Sequence, residues 1–155
     1  MKKENMLLDK WISLPLSLKL VFVVVLLGLF ASIYTFSFNA VGGYSLFGFE
    51  FLGVNALLLS LVFDLICSIL VLFVIWSAKK WGFWYGLGYY GFLILNAVLA
   101  LYSFKRRMDE YGADSPISDV LKTLFFKFLI AGLFGIGIYI LLLVLIAKNK
   151  KYFRK

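Results

Sequence analysis

The sequence predicts an all-α integral membrane protein, a bundle of four transmembrane helices with both ends in the cytoplasm. Of its 155 residues 63% are apolar and only 15% are charged. A soluble domain has roughly 45–50% apolar and about 25% charged residues. One small globule cannot bury this excess of apolar side chains, so lipid must cover them. The apolar residues form unbroken runs, whereas the strands of a membrane barrel alternate between apolar and polar residues.

Four segments are long enough to span a bilayer, which takes about 20 apolar residues in a helix. We predict transmembrane helices over about 18–38, 51–78, 81–104 and 120–147, within a single membrane domain, 1–155. The first run is longer than the roughly 7–15 residues of a signal-peptide core, so we expect a retained anchor. Residues 105–119 carry mixed charges with Gly112 and Pro116, and they predict a polar loop on the outer side.

Two short amphipathic stretches predict helices at the membrane surface. In residues 5–14 the apolar side chains share one helical face, and Pro15 ends the stretch. A similar spacing recurs just before the fourth run, where the stretch either lies on the surface or lengthens that helix. The apolar positions are Leu7, Leu8, Trp11 and Ile12 in the first stretch, and Leu121, Leu124, Phe125 and Phe128 in the second.

The basic residues predict the orientation of the helices, because cytoplasmic loops carry an excess of Lys and Arg. With the N-terminus inside, eleven of the 16 basic residues lie on the inner side and five on the outer side. We therefore expect a multi-pass protein of the cell membrane with its N- and C-termini in the cytoplasm. The Lys105-Arg106-Arg107 cluster on the outer side opposes this bias, and nearby acidic residues partly offset it.

Asp64 is the residue that most invites a functional interpretation, since it lies near the middle of the second apolar run. An aspartate at that depth costs roughly 2.5–3.5 kcal/mol to insert, and such residues usually face other helices. Counting from the basic residues at the inner edge, Tyr34 and Asn96 fall at a similar depth. We predict a buried intramembrane polar layer of Tyr34, Asp64 and Asn96. One interpretation is that Asp64 fixes helix packing. The other is that Asp64 titrates or holds a cation during transport.

Glycines are concentrated in the third and fourth predicted helices, where they allow helix backbones to approach closely. We expect Gly82, Gly86, Gly132 and Gly135 to mark such packing contacts. Trp76, Trp81 and the aromatic residues from Phe83 to Tyr90 lie beside Lys79 and Lys80, as in the aromatic belts of membrane interfaces.

Composition narrows the function without assigning one. The single cysteine, Cys67, excludes an internal disulfide, and the chain has no histidine, the commonest haem and transition-metal ligand. We predict no catalytic residue, no metal and no cofactor. The basic residues that give the net charge of +8 are expected to contact lipid head groups and not nucleic acid.

The leading hypothesis is a non-enzymatic accessory subunit or scaffold that packs against lipids and either a membrane-protein partner or copies of itself. The alternative is a small proton- or cation-coupled transporter or channel component that uses Asp64, and an intramembrane enzyme ranks third.

Overall fold

The computed structural model of the chain describes residues 2–112 and 118–154 and is mostly helical (87%). Four helices are long and apolar enough to cross a membrane, which confirms the predicted helical class and helix number. In chain order the elements are α1 (Lys2–Ser13), α2 (Leu16–Gly42), strands β1 (Tyr44–Leu46) and β2 (Phe49–Phe51), α3 (Gly53–Ser77), α4 (Lys80–Gly112), α5 (Ser118–Lys148) and a 3₁₀ turn (Tyr152–Arg154).

The predicted outer loop over 105–119 is wrong for its first half, because α4 continues as a helix to Gly112. Charged residues suit an exposed helix when they pair one turn apart. Arg106 pairs with Glu110 at 2.8 Å, and the Arg107 Nε donates to the Ser103 carbonyl at 3.4 Å. Residues 113–117 of that loop lie outside the described part of the chain. The amphipathic stretch near residue 121 forms the first turns of α5 and so lengthens this helix.

Helices α4 and α5 pack as an antiparallel pair along most of their length. At one end the Phe104 ring stacks on the Phe128 ring at 4.9 Å between centroids. At the other end a Cβ placed on Gly86 would lie 3.1 Å from the Ile146 side chain. Between these two levels the rings of Tyr90 and Tyr139 lie 6.4 Å apart. Stacked aromatic rings and glycine contacts let two apolar helices approach closely without a polar seam.

The tightest packing lies toward the end of the molecule where α2 begins and α5 ends. Fully buried aliphatic side chains from α2, α3 and α5 meet there. They are Leu18, Val21, Val71, Val74, Ile75 and Ile146. We call this the basic end, because Lys19, Lys79, Lys80 and Lys148 flank the same helix termini. Branched side chains that fill this volume hold the helices in a defined arrangement.

The two ends of the chain meet at the basic end. The Asn149 Nδ2 donates to the Ser17 Oγ at 2.7 Å, which joins the end of α5 to the start of α2. Phe153 is 1% exposed and packs against the Phe83 ring of α4. The Lys10 ammonium of α1 lies 5.5 Å from the centre of the Trp76 ring, so α1 rests beside the end of α3.

At the opposite end a β-hairpin joins α2 to α3. This element was not predicted from the sequence. The strands pair antiparallel, with Tyr44 opposite Phe51 and Leu46 opposite Phe49. The turn uses positive φ at both central residues, 50° at Phe47 and 82° at Gly48, as the favoured two-residue hairpin turns do. Because 49–51 is a strand, α3 begins at Gly53 and not at residue 51.

Candidate functional site

Asp64 lies in a π-helical segment, Leu61–Ile66, in the middle of α3. The Cys67 backbone N–H donates to the carbonyl of Val62, five residues earlier, which is the wider π spacing. Such segments are rare, and they occur mostly as single-turn bulges that are frequent at functional sites. Two tyrosines of α4 contact the carbonyls of this region. The Tyr89 hydroxyl donates to the Phe63 carbonyl at 2.8 Å, and the Tyr85 hydroxyl donates to the Cys67 carbonyl at 3.2 Å.

Both carboxylate oxygens of Asp64 accept hydrogen bonds from the chain itself. The Tyr44 hydroxyl donates to Oδ1 at 3.0 Å, and the Ser60 hydroxyl donates to Oδ2 at 3.1 Å. The Asn39 Nδ2 donates to the Ser60 oxygen at 2.7 Å and so extends the network to α2. Burial, followed by the neighbouring Asp64 carboxylate, raises the pKa of the Tyr44 phenol above its usual value of 10. Tyr44 therefore keeps its proton and remains a donor.

Asn96 of α4 binds the same hairpin through both ends of its amide. Its Oδ1 accepts from the Phe47 backbone N–H at 2.6 Å, and its Nδ2 donates to the Ser45 carbonyl at 3.2 Å. A side-chain amide offers an acceptor and a donor together, so it can satisfy two backbone groups that the short hairpin leaves unpaired. Asn96 thus holds the hairpin against α4, and it supports the strained positive φ of Phe47.

Aromatic and charged contacts continue this docking along α4. The Phe92 ring lies between two rings, edge-on to Phe47 at 5.4 Å and stacked on Phe63 at 4.9 Å. Near the end of α4, Arg107 forms a salt bridge with Glu50 of β2. The hairpin therefore rests on α4 through a hydrogen-bonded amide, an aromatic stack and an ion pair. Together these contacts hold Tyr44 where it can reach Asp64 on α3.

The predicted buried layer of three residues is only partly realised. The structure brings Asp64 and Asn96 to one hairpin, but Tyr34 is 76% exposed on the outer surface of α2. Helical depth places residues at one level without specifying the faces that they occupy, and Tyr34 points away from the neighbouring helices. Tyr44 and Tyr89 take part in the site although neither was predicted to belong to it. The sequence did offer one hairpin signal. Between Gly43 and Gly48, the residues Tyr44, Ser45 and Leu46 alternate between apolar and polar.

Three of the four predicted packing glycines make close contacts, and one does not. A Cβ on Gly82 would overlap the Val74 side chain, and one on Gly132 would lie 2.8 Å from Leu101. Gly86 faces Ile146, as described above. Gly135 is the exception, because a Cβ there would meet no heavy atom within 4 Å among the described residues. The prediction of a packing contact at Gly135 is wrong, since the space beside this glycine is open.

A cavity of about 350 Å³ lies beside Asp64, and all four long helices line it. Its polar wall consists of Asp64, Ser68 and Tyr89, with Ser32 and Tyr139 nearby. Aliphatic side chains form most of the remaining wall, among them Val25, Leu93 and Leu142. The volume is at the lower end of the range of ligand pockets, roughly 300–1,000 Å³.

Tyr89 and Tyr90 belong to the interior of the protein. The sequence had predicted an interfacial belt for both tyrosines. Tyr89 and Tyr90 are buried, and both line the cavity, whereas Trp81 and Trp84 are exposed as a belt requires. The Tyr89 hydroxyl also lies 3.2 Å from the Ser68 Oγ. A tyrosine can serve either environment because its ring is apolar and its hydroxyl is polar. Sequence position near Lys79 and Lys80 did not distinguish the two environments.

The polar groups at this site are a carboxylate, hydroxyls and side-chain amides. Within residues 2–112 and 118–154 no group of three or more metal-ligating side chains is present. Asp64 accepts hydrogen bonds from hydroxyl groups. The backbone carbonyl of Cys67, the single cysteine, accepts the hydrogen bond from Tyr85. A carboxylate that accepts hydrogen bonds from a hairpin strand and from its own helix is suited to fixing their positions.

Comparisons with protein-family models, with curated proteins and with solved structures returned no match for this chain.

Proposed function

We propose that this chain is a multi-pass membrane protein without enzymatic activity that acts as an accessory subunit or scaffold. It associates with another membrane protein, or with a second copy, through the exposed face of α4. The observation that carries the proposal is a row of exposed residues at alternating spacings of three and four, with two glycines at its centre. The row, which we call the α4 face, consists of Trp81, Trp84, Gly88, Gly91, Leu95, Val98 and Tyr102.

The glycines of α4 divide into two groups by their surroundings. Gly82 and Gly86 are buried against Val74 and Ile146, so they serve packing within the chain. Gly88 and Gly91 are exposed, and a Cβ on either would meet no described atom within 4 Å. In membranes, small residues on a helix surface allow a second helix to approach closely, since lipid provides no hydrophobic force between helices. The spacing of the α4 face matches the seam that two packed helices form.

The polar interior supports a structural role for Asp64 and Asn96. Each of these side chains satisfies groups on the hairpin, and Asp64 also joins Ser60. Polar side chains inside a membrane protein hold elements together when their hydrogen bonds are satisfied. A chain whose interior is fixed in this way and whose α4 face is exposed is suited to the role of an accessory subunit or scaffold.

We further propose that the basic end faces the cytoplasm, with both termini inside the cell. Lysines flank the helix termini at this end, and the meeting of α2 with the end of α5 places the two ends of the chain together. Positive residues favour the cytoplasmic side of a membrane. Reporter fusions at Lys155 and at Gly112 test the orientation. A cytoplasmic signal at Lys155 and an external one at Gly112 are expected, and a cytoplasmic signal at Gly112 would overturn it.

The association is tested by copurification from membranes in mild detergent. Two differently tagged copies are expressed together with the native membrane proteins, and the captured proteins are quantified. We expect a stoichiometric companion, either the second tagged copy or one other membrane protein, and we expect its loss in Gly88→Leu/Gly91→Leu. Gly137→Leu on α5, where a Cβ also meets open space, is the matched control and should retain the companion. Recovery of the chain alone would contradict the proposal.

Proton- or cation-coupled transport through Asp64 is the second candidate, and the cavity beside the carboxylate favours it. A transport path also requires polar groups along its length. Toward the basic end the helices close around Val71, Val74 and Ile75, each at most 1% exposed, which supports the accessory role instead. Reconstituted vesicles discriminate the two functions. A proton or cation flux that disappears in Asp64→Asn, while assembly persists, would favour transport.

A further inference from the structure

We propose that the cavity beside Asp64 binds a small organic ammonium ion with an aromatic or aliphatic body, and that the carboxylate pairs with the charged nitrogen. This inference does not depend on association through the α4 face. It follows from three features of the cavity: an acid without a cationic partner, aromatic rings around it and an otherwise apolar wall. Each feature selects for one part of the ligand.

The first feature is the missing cation. Among the side chains that the structure describes, the ion pairs are Arg106 with Glu110 and Arg107 with Glu50, and neither involves Asp64. Its two partners there, Tyr44 and Ser60, are neutral donors. A carboxylate accepts roughly four hydrogen bonds, so these two leave capacity for a donor from the cavity. An unpaired charge removed from water is costly, and a bound cation offsets that cost.

The second feature is aromatic. Tyr89, Tyr90 and Tyr139 line the same cavity as Asp64. The faces of such rings attract ammonium groups, most strongly where water is excluded. Several rings beside one carboxylate form a common recognition pattern for organic cations. A hydrated metal ion does not fit it, because such an ion requires several oxygen ligands in a defined geometry.

The third feature is the composition of the rest of the wall. Half of the described lining residues are aliphatic, and none is Lys or Arg. A phosphate or carboxylate ligand would therefore find no cation to bind it. The aliphatic side chains instead bury an apolar body attached to the nitrogen. Since the volume is about 350 Å³, the ligand is small, of the size of a single-ring amine.

Binding is tested with phenethylammonium as the probe and phenethyl alcohol, its neutral isostere, as the control ligand. The purified full chain in detergent micelles is equilibrated by dialysis against labelled probe, and partition into empty micelles is subtracted. We expect saturable binding of phenethylammonium at one site per chain, and at least tenfold weaker binding of the alcohol. Absence of saturable binding, or equal affinity for the two probes, would overturn the proposal.

Two variants locate the site. Asp64→Asn removes the charge and should weaken phenethylammonium binding at least tenfold. Gly28→Leu adds bulk to the cavity and leaves Asp64 itself unchanged, because Gly28 lines the cavity and a Cβ there meets open space. It should also abolish binding, whereas Gly137→Leu, outside the lining, should bind as the natural chain does. Circular dichroism and gel filtration establish that each variant is folded. Unchanged binding in folded Asp64→Asn or folded Gly28→Leu would contradict the assignment.

Discussion

Asp64 on α3 and Asn96 on α4 are joined through two consecutive residues of one strand. The Tyr44 hydroxyl donates to the Asp64 carboxylate at 3.0 Å, and the Ser45 carbonyl accepts from the Asn96 amide at 3.2 Å. The two polar residues are therefore linked through the hairpin and not to each other. Both hold the hairpin that connects α2 to α3, and through it they define how three long helices meet at one end.

Asp64→Asn should be tolerated better than Asp64→Leu. An asparagine accepts from one hydroxyl and donates to the other, so Tyr44 and Ser60 keep a partner. Leucine leaves the hydroxyl protons of Tyr44 and Ser60 without their acceptor, and we expect a loss of about 1–3 kcal/mol in the free energy of unfolding. Unfolding by sodium dodecyl sulfate in mixed micelles measures it, because the unfolded chain stays in detergent. Equal losses in the two variants would show that the hydrogen bonds do not stabilise the fold.

Asn96→Ala should release the hairpin from α4. The substitution leaves the Phe47 N–H and the Ser45 carbonyl without their partner, so we expect about 1–3 kcal/mol of local destabilisation. Hydrogen exchange of the amides in residues 44–51 should accelerate, while exchange in the middle of α5 stays unchanged. Asn55→Ala is the matched control, because Asn55 is exposed at the start of α3. If exchange in the hairpin does not change, Asn96 does not hold it.

Gly48→Ala should destabilise the protein more than Gly53→Ala. Both glycines have positive φ, 82° and 60°, which is costly for alanine. Only at Gly48 would the new methyl group also overlap the Ser103 side chain, whereas at Gly53 it meets open space. Thermal denaturation in detergent should show the larger decrease for Gly48→Ala, and Ser103→Ala should recover part of it. Equal decreases would mean that the hairpin turn does not pack closely against α4.

Gly82→Ala should destabilise the protein, whereas Gly135→Ala should not. At Gly82 the methyl group would overlap Val74, so either the helices separate or Val74 shifts. At Gly135 the space is open, and alanine is the better helix former by about 1 kcal/mol. Unfolding in mixed micelles should show a loss for Gly82→Ala, which Val74→Ala relieves in the double variant. No change or a gain is expected for Gly135→Ala, and a clear loss there would restore its predicted packing role.

The long elements were predictable because they depend on composition over about 20 residues, whereas the site depends on the faces that helices turn to one another. Unbroken apolar runs predicted four helices, and Asp64 stood out as the one acidic residue within such a run. The side of α2 that carries Tyr34 depends on contacts with α3, which hydropathy does not encode. The hairpin escaped prediction because its strands have only three residues each.

The π-helical segment and the buried tyrosines could not be predicted from the sequence for a related reason, because they depend on contacts between helices. Residues Leu61–Ile66 have ordinary helical composition, and their wider turn is accompanied by the Tyr89 and Tyr85 hydroxyls that bind nearby carbonyls. These partners lie on another helix and more than 15 residues away. Similarly, Gly135 and Gly132 have similar apolar surroundings in sequence, yet only Gly132 faces Leu101.

Association through the α4 face is the central claim, and photocrosslinking in intact cells tests it most directly. Leu95, exposed at the middle of the α4 face, is replaced by p-benzoylphenylalanine, and Ile140, exposed on α5, receives the same replacement as a control. After irradiation we predict one discrete protein adduct from position 95, absent in Gly88→Leu/Gly91→Leu, and none from position 140. Absence of a protein adduct from position 95, or the same adducts from both positions, would contradict the claim.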